Sequence, residues 1–373
     1  MGPLTGIRII EISGIGPGPF AGMMFADMGA DVIAVDRPGP NNPLGLKVDM
    51  NRRGKRTVIL DLKTDAGKEA LLKLAETADG LFEGFRPGVM EKLGLGPDDV
   101  ASRNPKLVYG RMTGWGQTGP LSKAAGHDLN YIALSGALYS IGNPDIPPTV
   151  PLNLIGDYGG GAMMLAFGMV SALLEAQKSG KGQTVDVSMV EGASLLMSLM
   201  HSLKASGLWA EKRASNMLDG AAHFYSTYQT ADDQYISFGA IEPQFMQAFI
   251  DKVGLDKSWL QNHMNPSMWP KLKEELTALF RTKTSVEWQE ILEGTDACFA
   301  PILPFWEAHN HPHNKARNSF IEIDGMLQPG PAPKFSRTKP EVQFGQTPNG
   351  TDTETLLREL GYTDAEITDL KSS

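Results

Sequence analysis

Ile7-Arg-Ile-Ile-Glu-Ile12-Ser-Gly-Ile-Gly16-Pro-Gly18-Pro-Phe-Ala21, followed by Val32-Ile-Ala-Val-Asp36, is the stretch that decides the fold. An apolar run, a Gly/Pro turn, a short helical stretch around Phe20–Met28 and a second apolar run predict strand, turn, helix and strand. The pattern repeats outward. Thr57–Leu62 reads as a third strand and Asp65–Ala78 as a helix, with Leu81–Phe85 and Leu107–Arg111 as further strands. Strands alternating with helices predict an α/β domain whose mostly parallel sheet is covered by helices.

The turn formally matches the Gly-x-Gly-x-x-Gly/Ala dinucleotide fingerprint, and Asp36 ends the next strand at the expected distance. Two details weaken that reading. Pro17 and Pro19 lack the N–H groups such a loop offers to a pyrophosphate, and Arg37 directly follows Asp36. A nucleotide site and a plain tight turn both remain open from this loop alone.

The chain of 373 residues exceeds what one core usually supports, so two domains are expected. With 41 % hydrophobic and 21 % charged residues it reads as globular. A net charge of −9 argues against sequence-independent DNA binding, which needs a basic footprint. The single cysteine, Cys298, allows no intrachain disulfide and no thiolate zinc cage; in its apolar run to Ile302 it reads as buried and structural. The start has no secretory pattern, the end is not a Ser-Lys-Leu address, and Ala162–Leu174 reads as a buried helix too short to span a bilayer. A cytoplasmic protein is the expectation.

Further along, Asp157 opens a long helix to about Gln177, Thr184–Ser188 is a strand, and a helix runs to about Ala205. The texture then changes. Tyr225–Thr230 and Tyr235–Ala240 read as a hairpin, and Gln244–Val253, Met268–Phe280 and Val286–Leu292 as helices. The expected division is a large domain over 1–207, a small α+β domain over 208–310, and a return segment over 311–373 that packs on the large domain.

Asn51-Arg-Arg-Gly-Lys-Arg56 gathers positive charge, and Lys63, Arg86 and Arg111 follow or end later strands. Ligands of open α/β sheets bind at those strand ends, so the recurrence suits a ligand with several phosphates as well as it suits a solvated loop. His127 precedes a helix, where a lone histidine is ordinarily structural. Asp157 sits where a helix cap is expected, but the three glycines after it are costly unless something approaches the backbone closely. A ligand oxygen held there by free N–H groups would be a means to stabilise an enolate. Glu242, before Pro243, is a cap or a site residue. His309-x-His311-x-His313 reads as a loop with exposed imidazoles rather than a zinc site, and no metal is expected.

Taken together, Gly14-Ile-Gly-Pro-Gly-Pro19, Asn51-Arg-Arg53, Asp61-Leu-Lys63, Gly84-Phe-Arg-Pro-Gly88, Gly114-Trp-Gly-Gln-Thr-Gly-Pro120, Gly126-His-Asp-Leu-Asn-Tyr131, Gly156-Asp-Tyr-Gly-Gly-Gly161 and Gly239-Ala-Ile-Glu-Pro243 resemble the α-methylacyl-CoA racemase branch of the class III (CaiB/BaiF) CoA-transferase superfamily. The resemblance extends to about residue 338. It implies a Rossmann-like large domain that holds CoA rather than NAD, in a homodimer of two interlocked subunits, with each site between the large domain of one and the small domain of the other. It implies CoA contacts at Arg37, Leu60, Asp61, Leu62, Lys63, Gly84, Phe85, Arg86, Lys92, Gly126, Asp128, Leu129, Asn130 and Tyr131. The racemases commonly carry Arg where Lys92 stands, which makes that contact the least secure.

Within this superfamily the transferases use the aspartate matching Asp157 as a nucleophile and usually lack a histidine at position 127. Both residues are present here, together with Glu242. The resemblance therefore implies racemisation of 2-methylacyl-CoA thioesters by α-proton removal and return. His127 and Asp157 would be the two acid/base groups, and Glu242 would hydrogen-bond His127. No cofactor is implied beyond the CoA of the substrate. The alternative is a class III CoA-transferase with Asp157 as nucleophile.

Overall fold

Ile9 and Ile10 are both fully buried although neighbours on a strand point to opposite faces. Only a sheet covered on both sides leaves a strand no polar face. The computed structural model, which describes residues 2–39 and 45–372, has that architecture. Its parallel sheet contains β1 Arg8–Ile12, β2 Asp31–Asp36, β3 Lys55–Ile59, β4 Gly80–Glu83, β5 Val108–Thr113 and β6 Thr184–Ser188, in the order β3-β2-β1-β4-β5-β6. The order reverses between β1 and β4, which opens a crevice at their carboxyl ends.

The helices of this unit include α1 Pro17–Asp27, α2 Asp65–Glu76, α3 Val89–Lys92, α4 Pro97–Arg103, α5 Asp128–Leu134, α6 Met163–Ser179 and α7 Met189–Leu196. Ile10, Ile33 and Leu81 pack against α2, α3 and α4 on one face; Ile9, Val32, Phe82 and Val108 pack against α1, α6 and α7 on the other. Residues 318–373 return to this unit. There Asp352 Oδ2 accepts from the Thr57 N–H at 2.9 Å and Thr353 Oγ1 from the Ile59 N–H at 3.1 Å, so the outer edge of β3 is covered.

The second unit comprises Leu138–Val150 and Ser198–Arg317. The expected hairpin is β7 Ser226–Gln229 and β8 Tyr235–Phe238, and β9 Phe299–Pro301 adds a third antiparallel strand. Its helices include α8 Ser198–Ala205, α9 Pro243–Val253, α10 Ser258–Asn262, α11 Trp269–Phe280 and α12 Ser285–Leu292. Phe224, Phe238, Phe249, Phe280 and Trp288 fill the core. The chain enters this unit about ten residues before the boundary expected at 207/208, because the helical run breaks at Met197. Residues 138–150 join it as well: Arg213 donates to the carbonyls of Tyr139, Asn143 and Ile146 and lies over the Tyr139 ring.

Three local expectations are corrected. The long helix begins at Leu154 rather than Asp157, with a π-helical segment, Leu154–Ala162, running directly into α6. Together they span 26 residues and contain an 18-residue stretch of mean hydropathy 1.4, long and apolar enough to cross a membrane by length and composition, of which 39 % is buried. Cys298 is half-buried rather than buried, at φ 51°. The glycines after Asp157 serve close packing of α7: a Cβ on Gly160 would lie 2.6 Å from the Ala193 nitrogen, and one on Gly192 would lie 1.9 Å from the Gly160 oxygen.

Candidate active site

A cleft of about 570 Å³ opens at the carboxyl ends of the strands, on the crevice between β1 and β4. Ser13 and Gly14 follow β1, Arg37 follows β2, Leu60, Asp61, Leu62 and Lys63 follow β3, and Gly84 and Phe85 follow β4; all line it. Pro17, Gly18 and Pro19, the first turn of α1, form its floor. A smaller cavity of about 280 Å³ is lined by Arg86, Gly126, His127 and Tyr131, and shares Gly84, Phe85, Met112 and Met189 with the cleft. An elongated ligand can thus lie with its head against the strand ends and its tail end at His127.

Most of the basic cluster does not face this cleft. Arg52 makes a two-pronged bond to the fully buried Asp36, at 2.7 and 3.2 Å. Arg53 does the same with Asp27 at 2.6 and 3.0 Å, and Lys55 donates to Glu11 at 2.5 Å and to the Pro19 carbonyl at 2.8 Å. Arg56 pairs with Glu359 and Asp31, and Arg111 with Glu83 and Glu91. Arg52, Arg53 and Lys55 thus tie their segment to β2, α1 and β1 rather than waiting for phosphate. Asp36, occupied by Arg52, is not available for a ribose, which removes the main support for a dinucleotide site. Exposed Arg37, Lys63 and Arg86 remain at the cleft and the chamber.

His127 caps α5 from an extended backbone, and its own N–H donates to Asn130 Oδ1 at 3.0 Å. Its side chain is exposed. Asp157 lies in the first turn of the π-helical segment, half-buried, with a favourable charge interaction with His127. A Cβ on Gly16, the residue that caps α1 at φ 75°, would lie 3.5 Å from Asp157 Oδ2, so the glycine loop walls the carboxylate directly. Asn153 Nδ2 donates to the same oxygen at 3.3 Å. Burial pushes the Asp157 carboxyl above the usual aspartate range; the Asn153 bond pulls it down, the Asp128 charge pushes it up, and His127 pulls it down. Burial and the charge of Asp157 likewise raise Tyr131, whose hydroxyl donates to the Gly126 carbonyl.

The N–H of Asp157, the expected enolate donor, is engaged already: it donates to Asp128 Oδ2 at 2.7 Å. Asp128 is buried and faces Gly156 and Asp157, so its side chain belongs to the scaffold around Asp157. Leu129 and Asn130 are exposed and line neither cavity. Lys92 is exposed at the end of α3, where Val89 and Leu93 line the cleft instead.

Glu242 belongs to the second unit, where it is exposed and caps α9 with Pro243 as first helical residue. Burial, then Glu242 and Asp296, hold the Cys298 thiol above its ordinary value, unlike an activated nucleophile. His311 Nδ1 accepts from the His313 N–H at 3.3 Å, capping a helix, and its Nε2 pairs with Glu293 at 2.8 Å. Asn153 and Met112 are site residues that sequence reasoning passed over. Asn153 stands four residues before Asp157, a spacing that signals contact only once the helix is known to start before it.

Residues 4–353 match the model of CoA-transferase family III. The mouse protein named α-methylacyl-CoA racemase is 46 % identical over 99 % of this chain and 96 % of its own length; its human counterpart is 44 % identical with the same coverage. The crystal structure of Rv3272 from Mycobacterium tuberculosis superposes with a TM-score of 0.80 at 28 % identity, covering 95 % of this chain and 99 % of that one.

Proposed function

The chain belongs to CoA-transferase family III, and on that premise we propose that it interconverts the epimers of 2-methylacyl-CoA thioesters by removing and returning the α-proton. The observation that carries this reading is the half-buried Asp157, its carboxyl raised by burial and in charge interaction with His127, which lines the cavity adjoining the cleft. Inversion needs proton loss from one face and delivery to the other, and two groups of different type meet that need. A carboxyl held above its ordinary range takes and returns a proton more readily than an exposed aspartate. No electrons change hands overall, so the CoA of the substrate is the only carrier the chemistry needs.

The CoA would lie along Arg37, Leu60–Lys63, Gly84–Phe85 and Arg86. We further propose a homodimer in which Glu242 of one copy hydrogen-bonds His127 of the other. Met163, Phe167, Val170 and Leu174 recur at helical spacing on α6 and are exposed, Phe167 at 73 %. A stripe of that size needs a cover, and a second copy accounts for it without a bilayer. A cytoplasmic location is consistent with that reading. Incubation of one epimer of a 2-methylacyl-CoA in D₂O should bring deuterium into the α-position while the centre epimerises, and His127→Ala should suppress both. A transferase would instead move CoA to an added carboxylate, and hydroxylamine would trap an acyl group on Asp157.

A further inference from the structure

We propose that His263 is a positioning residue of the reaction: its imidazole holds the Ile241 carbonyl and thereby fixes the peptide that presents Glu242 to the acid/base pair. The inference rests on the role proposed above for Glu242, as the group that hydrogen-bonds His127 of the other copy. Glu242 lies between β8 and α9 and caps α9 from an extended backbone, φ −75° and ψ 143°, yet its carboxylate makes no cap bond. The aim of that side chain is therefore set by the backbone that leads to it.

This backbone is fixed at three points. The Gly239 N–H donates to the Cys298 carbonyl at 2.9 Å, the Ile241 N–H donates to the Gly239 carbonyl at 2.9 Å, and His263 Nε2 donates to the Ile241 carbonyl at 2.7 Å. A carbonyl only accepts, so Nε2 carries the ring proton. The first two bonds are main-chain bonds, whereas the third depends on one side chain. His263 follows α10 and is buried. Its own carbonyl accepts from Trp269 Nε1 at 3.0 Å, and its ring centroid lies 4.3 Å from that of Phe224 and 5.5 Å from that of His223. Phe224 and Trp269 belong to the core of the second unit, so the imidazole ties the peptide before Glu242 to that core.

For packing alone, an imidazole is an unfavourable choice here. Burial disfavours its charged form, and Nδ1 meets no donor among the described residues. An apolar side chain would fill the space without either penalty. Ile241 is only half-buried, at a rim where water can satisfy a carbonyl as well, so the bond is not needed merely to pair that oxygen. What the histidine adds is direction, one residue before a carboxylate whose placement matters to within about an ångström.

The test measures kcat and KM for epimerisation in the full-length wild type, His263→Gln, His263→Met, His263→Phe, Glu242→Ala and the double variants of Glu242→Ala with the latter two, with near-UV circular dichroism to verify folding. His263→Met and His263→Phe remove the donor, so kcat should fall about 10-fold or more while KM stays within about twofold. His263→Gln, whose amide can donate to the same carbonyl, should recover most of kcat. In the Glu242→Ala background, loss of the donor should have no further effect, because the group being positioned is gone. Folded donorless variants with wild-type kcat would overturn the proposal. So would a loss that recurs in full on top of Glu242→Ala, or failure of both donorless variants to fold, since either makes the histidine structural. A Glu242→Ala protein as active as wild type would instead sink the role of Glu242, and this proposal with it.

Discussion

Lys55→Met separates internal pairing from ligand binding most sharply. Lys55 Nζ sits 2.5 Å from Glu11 Oε2 and 2.8 Å from the Pro19 carbonyl, and both charged side chains are almost wholly buried. Gly22 lies over the pair so closely that its missing Cβ would be 1.9 Å from Glu11 Oε2. Both groups are buried, so removing the cation leaves a buried carboxylate uncompensated. Breaking a buried pair on one side costs about 3–5 kcal/mol. For a unit of this size that lowers Tm by roughly 6–20 °C. Glu11→Gln in the same background should return more than half of the loss. Thermal and urea unfolding of the three proteins, beside CoA binding by calorimetry, decides the matter. If Lys55→Met unfolds like wild type but loses CoA affinity, the cluster binds phosphate and the argument for internal pairing is wrong.

Asp157→Asn should abolish epimerisation yet raise Tm at pH 7–8. The folded carboxyl is raised above its unfolded value, so its ionisation opposes folding above the folded pKa, and the gain should vanish in scans run below the unfolded value. Phe167→Asp, on the exposed stripe of α6, should produce a monomer by sedimentation and lose activity with it, while far-UV circular dichroism stays unchanged. Arg86→Ala should raise KM for acyl-CoA about 10-fold or more with little change in kcat, the size of one charge-assisted contact; an unchanged KM would place the CoA elsewhere.

The alternation of apolar strands and amphipathic helices determined the parallel sheet, and strand limits fell within a few residues of it, because sheet periodicity is written locally. The same holds for His127 at the start of α5 and Glu242 before the proline that opens α9. Three matters were decided only in three dimensions. Charge in a sequence does not say what faces it: Arg52, Arg53, Lys55 and Arg111 meet carboxylates brought from distant strands and helices. Glycine in a sequence does not say what approaches it: Gly160 and Gly192 admit one another, where a ligand seemed the reason. The environment of Asp157 is the third. Asp128 lies 29 residues away in the chain, and its 2.7 Å bond to the Asp157 N–H exists because the π-helical segment packs on α5. Composition and spacing name an aspartate, whereas burial and these neighbours set its hold on a proton.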